Sequence, residues 1–229
     1  MTRYAFVSDI HSNFDALKQV AKDLEGMDIF VVGDIVGYGS EPDAVVQWVA
    51  SRCKAAVRGN HDDATVTGDT SWFNSSAAMA IEWTRGRLSG PSFSYLSSLP
   101  LSRRLVLDGL KVLLVHGSPE DPLHEYVFPQ THENLFDYYL SKYDADIIVL
   151  GHTHVPFAAK MIHGLIFNPG SVGQPRDGIP KASYSILEIK DNEAKVQNYR
   201  VNYDIESAAK KIFEAGLPRQ FGLRLYSGY

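Results

Sequence analysis

Five separated segments carry side chains that bind cations, and each follows a short apolar run: Asp9-Ile10-His11, Gly33-Asp34, Gly59-Asn60-His61-Asp62, His116-Gly117 and Gly151-His152-Thr153-His154. Asp9 with His11, and His152 with His154, have an i, i+2 spacing that lets two side chains of one tight loop reach the same point. Carboxylates combined with imidazoles suit manganese, iron, zinc or cobalt, and the lack of cysteine ligands argues against a structural zinc cluster. Taken singly, each motif is weak. An isolated histidine is more often a hydrogen-bonded structural residue, and Gly-Asn-His-Asp on its own fits a turn. Their joint appearance, each behind an apolar strand, points to one shared metal centre.

Such residues need a scaffold that gathers distant loops. Tyr4–Ser8, Asp28–Val32 and Ala55–Val57 read as short buried strands, and Asp15–Leu24 and Pro42–Ala50 as the helices between them. This β-α-β alternation implies parallel pairing, and ligands of an open α/β sheet bind at the carboxyl ends of its strands. Asn74–Leu88 is expected to be a helix capped by Asn74 or Ser75, and Thr131–Ser141 another. Lys111–Val115 and Asp146–Leu150 are apolar runs that stop where a glycine and a histidine arrive. From Phe157 onwards the segments Leu165–Phe167, Ala182–Ile189 and Ala194–Val201 read as an antiparallel region, with turns at His163-Gly164 and Asp191-Asn192. Asp204–Ala215 closes the chain as a helix capped by Asp204. With no low-complexity linker and no fixed-period repeat, residues 1–229 are expected to form a single α/β domain.

Composition narrows the function. A chain of 229 residues, 45% hydrophobic and 21% charged, can bury one large core. Its formal net charge of -5 argues against stable nucleic-acid binding, which needs clustered lysine and arginine. No apolar run approaches the roughly 18 residues that would span a bilayer, so no membrane association is expected. An aspartate at position 9 comes too early for a signal peptide, and the lone Cys53 forms no internal disulfide, so a cytoplasmic location is expected.

The five blocks, in this order, resemble the calcineurin-like metallophosphoesterase superfamily, whose pattern is Asp-x-His, Gly-Asp, Gly-Asn-His-Asp/Glu, His, then Gly-His-x-His. The likeness spans about residues 4 to 178, and Asn168-Pro-Gly-Ser-Val-Gly-Gln-Pro-Arg-Asp-Gly178 resembles the small single-domain prokaryotic, phosphodiesterase-like branch. The resemblance implies two stacked mixed β-sheets flanked by helices, a four-layer α/β/β/α fold. It also implies two divalent metal ions, manganese first and iron, zinc, cobalt or nickel as alternatives. One ion would take Asp9, His11, Asp34 and His154; the other would take Asp34, Asn60, His116 and His152. Asp34 and a hydroxide would then bridge the pair. His61, by the same likeness, would donate a proton to the leaving oxygen or stabilise its charge; it could also be a hydrogen-bond donor behind the ligands. Many relatives continue Gly-Asp-x-x-Asp, with the second aspartate orienting that histidine. Here Gly37 stands in its place, leaving Asp62, Asp63 or a backbone carbonyl as substitutes.

The implied reaction is hydrolysis of a phosphoester, either a small molecule or a nucleotide. Diesters are favoured because the Asp-Arg-Gly extension of protein phosphatases does not follow Asp34. A phosphomonoesterase and a non-catalytic metal-binding scaffold are the alternatives, and a DNA-processing nuclease is disfavoured by the missing basic excess. Arg176 and Arg58 could contact phosphate, or could be surface ion-pair partners. Asn13 could touch substrate or cap the helix that follows it. Specificity is expected to lie in 63–110 and 118–132, where Trp72, Phe73, Tyr126 and Phe128 could stack a nucleobase or simply pack.

Overall fold

The computed structural model describes residues 1–229. Strands β1 (Thr2–Val7), β2 (Asp28–Val32) and β3 (Ala55–Val57) are parallel neighbours, linked by helices α1 (Phe14–Asp23) and α2 (Pro42–Arg52). Then come α3 (Asn60–Thr67), α4 (Ser75–Arg85), α5 (Gly90–Ser98), the hairpin β4 (Ser102–Leu107) and β5 (Leu110–Val115), α6 (Glu133–Lys142) and β6 (Ile147–Val149). The chain finishes through β7 (Phe157–Lys160), β8 (Leu165–Asn168), β9 (Ala182–Lys190), β10 (Glu193–Val201), α7 (Ile205–Glu214), α8 (Arg219–Leu223) and a 3-10 turn at Arg224–Tyr226. One sheet has the order β10-β9-β1-β2-β3 and the other β4-β5-β6-β8-β7.

Strand alternation builds the layers. In β1, Tyr4 and Phe6 point inward and pack with Phe30 and Val32 against Val112, Leu114, Val149 and Phe167 of the second sheet. Ala5 and Val7 point the other way, onto Leu17 and Val20 of α1 and Val45, Val46 and Val49 of α2. The outer face of the second sheet, including Leu113, Ile148 and Ile166, is covered by Phe136, Tyr139 and Leu140 of α6. Two mixed sheets therefore stack face to face with helices outside both, as expected from the sequence. No helix is long and apolar enough to cross a membrane.

The expected antiparallel region after Phe157 is not continuous. β8 pairs in parallel with β6 and antiparallel with β7, while β9 and β10 belong to the other sheet. The run Leu165-Ile-Phe-Asn is buried throughout, which is the pattern of a central parallel strand rather than of a one-sided hairpin. Besides α8 and the 3-10 turn after it, β4, α5 and α3 went unforeseen. Asp108-Gly109, both with positive φ, form the two-residue turn that closes the β4–β5 hairpin. Ser89 accepts from the Ser92 backbone N–H ahead of Pro91 and thereby starts α5. Gly59-Asn60-His61-Asp62 opens α3, because an Asp62 carboxylate oxygen accepts from the Gly59 N–H at 3.0 Å.

Phe167 is fully buried between the sheets and meets Phe6 edge-on at 5.2 Å. Phe167→Ala should lower the unfolding free energy by about 3–5 kcal/mol in urea titrations of the metal-free protein. A loss below about 1 kcal/mol would contradict this sheet-to-sheet packing.

Candidate metal centre

The loops that leave β1, β2, β3, β5 and β6 at their carboxyl ends converge. Backbone ladders fix the first two: Asp9 N–H donates to Gly33 O at 3.1 Å, His11 N–H to Asp34 O at 3.0 Å and Ser12 N–H to Ile35 O at 3.0 Å. The segment after β8 ties them to the rest, with Gly173 N–H on Asp9 O and Ser171 Oγ on the same carbonyl. Asn168 Nδ2 donates to Gly151 O and so anchors the His152–His154 loop. The backbone is strained where chemistry is expected: Asp9, His11, Asp34, His152 and His154 all have positive φ, between 48° and 68°. Left-handed backbone at non-glycine residues costs free energy and persists where the surroundings enforce it. Gly59 serves close approach: a Cβ there would lie 2.2 Å from an Asp34 carboxylate oxygen.

Two groups of ligand atoms result. Asp9, His11, Asp34 and His154 form one, and Asp34, His116 and His152 the other, each with its atoms within 4.8 Å of one another. Asn60 extends the second group, its Oδ1 lying 3.1 Å from His116 Nε2. The imidazole tautomers test whether these sites fit a cation. Nδ1 of His11 faces Val36 O at 3.0 Å, and Nδ1 of His154 faces Gln174 O at 2.5 Å. A carbonyl only accepts, so both Nδ1 atoms carry hydrogen and both neutral rings direct Nε2 lone pairs inward. Those two Nε2 atoms are 3.1 Å apart and cannot hydrogen-bond to each other. His116 Nδ1 is likewise committed to Val32 O at 2.8 Å, which leaves Nε2 facing Asn60 Oδ1 and, at 3.3 Å, an Asp34 carboxylate oxygen. Asp9 Oδ1 and His152 Nε2 are buried without any hydrogen-bond partner. The Nε2 atoms of His11, His152 and His154 and Asp9 Oδ1, converging without a donor among them, fit a divalent cation bound through oxygen and nitrogen.

The electrostatics agree. Burial pulls His11 and His154 well below the usual imidazole range and His152 down to about 3, keeping these rings neutral. Burial pushes Asp9 up to about 7. Burial alone would raise Asp34, but the neighbouring His116, His61 and His11 rings hold it well below the ordinary carboxylate range. Burial would also lower His116, yet the Asp34 carboxylate beside it outweighs that and raises it to about 9.

His61 stands at the N-terminus of α3, with its backbone N–H on an Asp34 oxygen at 2.9 Å. Its ring packs against Tyr38 at 4.3 Å, Phe73 at 4.8 Å and His11 at 4.9 Å. Position 37 abuts this ring, since a Cβ on Gly37 would lie 2.5 Å from His61 Nδ1. None of the substitutes considered for the missing aspartate reaches it, and Nδ1 is buried without a partner. Asp62 is occupied by the Gly59 and Val36 N–H groups, and Asp63 pairs with Arg58 at 2.9 Å.

The other expected residues divide. Asn13 caps α1 through the Ala16 N–H, and its amide donates to Gly173 O, so both ends of the side chain are engaged. Arg58 is held by Asp63 and by Ser97 O. Arg176 stands at the centre's edge, its guanidinium 5.8 Å from the Tyr38 ring and 3.1 Å from Gln174 Oε1. Two neighbours escaped the sequence reading. Arg224 donates to the same Gln174 oxygen at 3.2 Å and lies 5.9 Å from the same Tyr38 ring, carried there by the C-terminal segment. Nothing in Arg-Leu-Tyr marks this placement, whereas Tyr38 between two glycines of the loop after β2 was a readable aromatic.

Comparison with known proteins gives the same answer as the geometry. The chain belongs to the calcineurin-like phosphoesterase superfamily, whose domain model matches residues 2–192. It is 39% identical over 244 aligned residues to the uncharacterized protein MJ0912 of Methanocaldococcus jannaschii, covering 98% of this chain and 97% of that one. It is 26% identical to the phosphodiesterase YfcE of Escherichia coli K12, covering 82% and 88% respectively. The crystal structure of a metallophosphoesterase from Sphaerobacter thermophilus superposes with a TM-score of 0.85 at 34% identity, over 100% of this chain and 99% of that one.

Metal uptake should be linked to pH. In the metal-free protein His116 keeps its second proton up to about pH 9, and a cation can use Nε2 only after that proton leaves. Affinity for manganese should therefore rise from pH 6 to pH 9. Calorimetry in buffers of different ionisation enthalpy should report release of about one proton or more at pH 7. Affinity that is independent of pH, with no proton released, would contradict this arrangement.

Proposed function

We propose that the chain hydrolyses phosphoesters, phosphodiesters in preference, at a dinuclear centre. The observation that carries this reading is the position of Asp34, whose carboxylate is common to both groups of inward-facing acceptors. In it Asp9, His11, Asp34 and His154 would hold one ion, and Asp34, Asn60, His116 and His152 the other, with manganese the first choice. When bound, two such cations neutralise phosphate oxygens and lower the pKa of water.

The chain's own groups then divide the remaining work. The N-terminus of α3 presents Asn60 and His61 with its backbone dipole directed at an anion. His61, lining the cleft above, would donate a hydrogen bond to the departing oxygen. Its buried Nδ1 has no acceptor, so the hydrogen is best placed on Nε2, and no carboxylate stands behind the ring to sharpen its acidity. Arg176 would bind a non-bridging phosphate oxygen, with Gln174 and Tyr38 orienting its guanidinium. The preference for diesters is supported by Gly37-Tyr38-Gly39 downstream of Gly33-Asp34, where protein phosphatases carry Asp-Arg-Gly, and by the likeness to the phosphodiesterase of E. coli.

Purified metal-free protein should gain hydrolysis of bis-p-nitrophenyl phosphate when manganese is added, and faster than of the monoester. Metal uptake without turnover of either would instead favour a binding scaffold. His61→Asn should lower kcat by on the order of 10²-fold while bound manganese, counted by mass spectrometry, stays constant. Asp34→Ala should deplete both ions together; loss of one ion alone would refute the shared carboxylate.

A further inference from the structure

A cleft of about 370 Å³ opens directly over Asn60, His61 and His152. Its walls are aromatic and come from both halves of the molecule. Trp72 and Phe73 lie on the connection from α3 to α4, and Tyr126 lies on the connection from β5 to α6. Trp72 stacks on the His124 ring at 4.5 Å and 25°, which joins the two connections across the opening. Tyr126 stacks on His152 at 3.9 Å and 27°. Phe73 meets His61 edge-on.

Phe73 packs against the core around Tyr38, but Trp72 and Tyr126 are not core residues. Trp72 is 75% exposed and Tyr126 52% exposed, although each is stacked on an imidazole and Tyr126 also has the Phe128 ring beside it at 6.0 Å and 10°. Leaving large apolar rings in water forgoes free energy that burial would supply, so their position at the mouth of a polar site needs another reason. Flat faces backed by rigid neighbours suit a flat ligand: an aliphatic chain would use little of the stacking surface. The cleft lies in the size range of small-molecule sites. The floor belongs to the proposed phosphoester chemistry, on which this inference rests, and any substituent of the phosphorus directed into the cleft meets walls that these rings line.

We infer that Trp72 and Tyr126 form a stacking platform for a nucleobase, so that the substrate is a phosphoester of a nucleoside rather than of a simple alcohol. Base-on-aromatic stacking tolerates different bases, because every base has a π-face. Discrimination among bases would then fall to polar groups at the cleft rim such as Asn74.

Adenosine 5′-monophosphate and ribose 5-phosphate share phosphate and sugar, and an anomeric hydroxyl in the second stands where the first carries its base. Their affinities for the manganese-loaded chain can be measured by calorimetry, with recovery of intact ligand checked by chromatography. The nucleotide should bind tighter by roughly 5- to 150-fold, the range of one stacked base. Trp72→Ala should bring the ratio of the two affinities below about threefold, and Trp72→Phe should retain most of it. Equal affinities, a preference that survives Trp72→Ala, or phenyl phosphate binding as tightly as the nucleotide would each overturn the inference. Since the readout is equilibrium binding, a base preference without diester hydrolysis would sink the proposed reaction and leave the platform standing. Hydrolysis without a base preference would do the reverse.

Discussion

Inward-facing lone pairs dominate this molecule. Three imidazoles have their Nδ1 hydrogens committed to the carbonyls of Val36, Gln174 and Val32, which fixes the direction of their Nε2 atoms and leaves those of His11 and His154 no hydrogen to offer each other. Around them stand the buried carboxylates of Asp9 and Asp34 and the half-buried amide oxygen of Asn60, with Asp9 Oδ1 left without a donor. A protein interior tolerates such an array only when something positive compensates it. In the metal-free chain a proton on His116 partly does so. A divalent cation does so more completely.

The fold follows from the need to assemble that array. No single helix or loop could offer so many ligands in a shell, but five loops at the ends of strands in two stacked sheets can, provided each turns sharply on leaving its strand. Positive φ at Asp9, His11, Asp34, His152 and His154 is the local cost of those turns. The interlayer packing of Phe6, Phe30 and Phe167, and the hydrogen bonds from the Asn168–Gln174 segment, supply the rigidity that keeps the strained loops in register. The apolar residues that never approach a ligand therefore still govern its geometry.

Most of this was legible because the signals are short-range. An apolar run followed by a glycine and a metal-binding residue marks a strand end, and five such signals define a site. Pairing was less legible. Leu165–Phe167 looked like part of an antiparallel hairpin because sequence neighbours are the natural first partners, whereas its parallel pairing with β6 depends on burial on both faces. Residues acting at a distance were the hardest. Gly37 announced that the usual partner of His61 was gone, but not that Asp62 and Asp63 were both occupied elsewhere and that Tyr38 and Phe73 would confine the ring instead. Arg224 reaches Gln174 through tertiary packing of the C-terminal helices around Tyr38, a placement with no local signature.

The ions themselves give the most direct test. Anomalous diffraction from crystals grown with manganese should show two peaks about 3.5–4 Å apart. One should lie between the Nε2 atoms of His11 and His154, the other beside His116 Nε2 and Asn60 Oδ1, with Asp34 touching both. A site free of anomalous density at saturating manganese, with the His11 and His154 rings turned away from each other, would contradict the account.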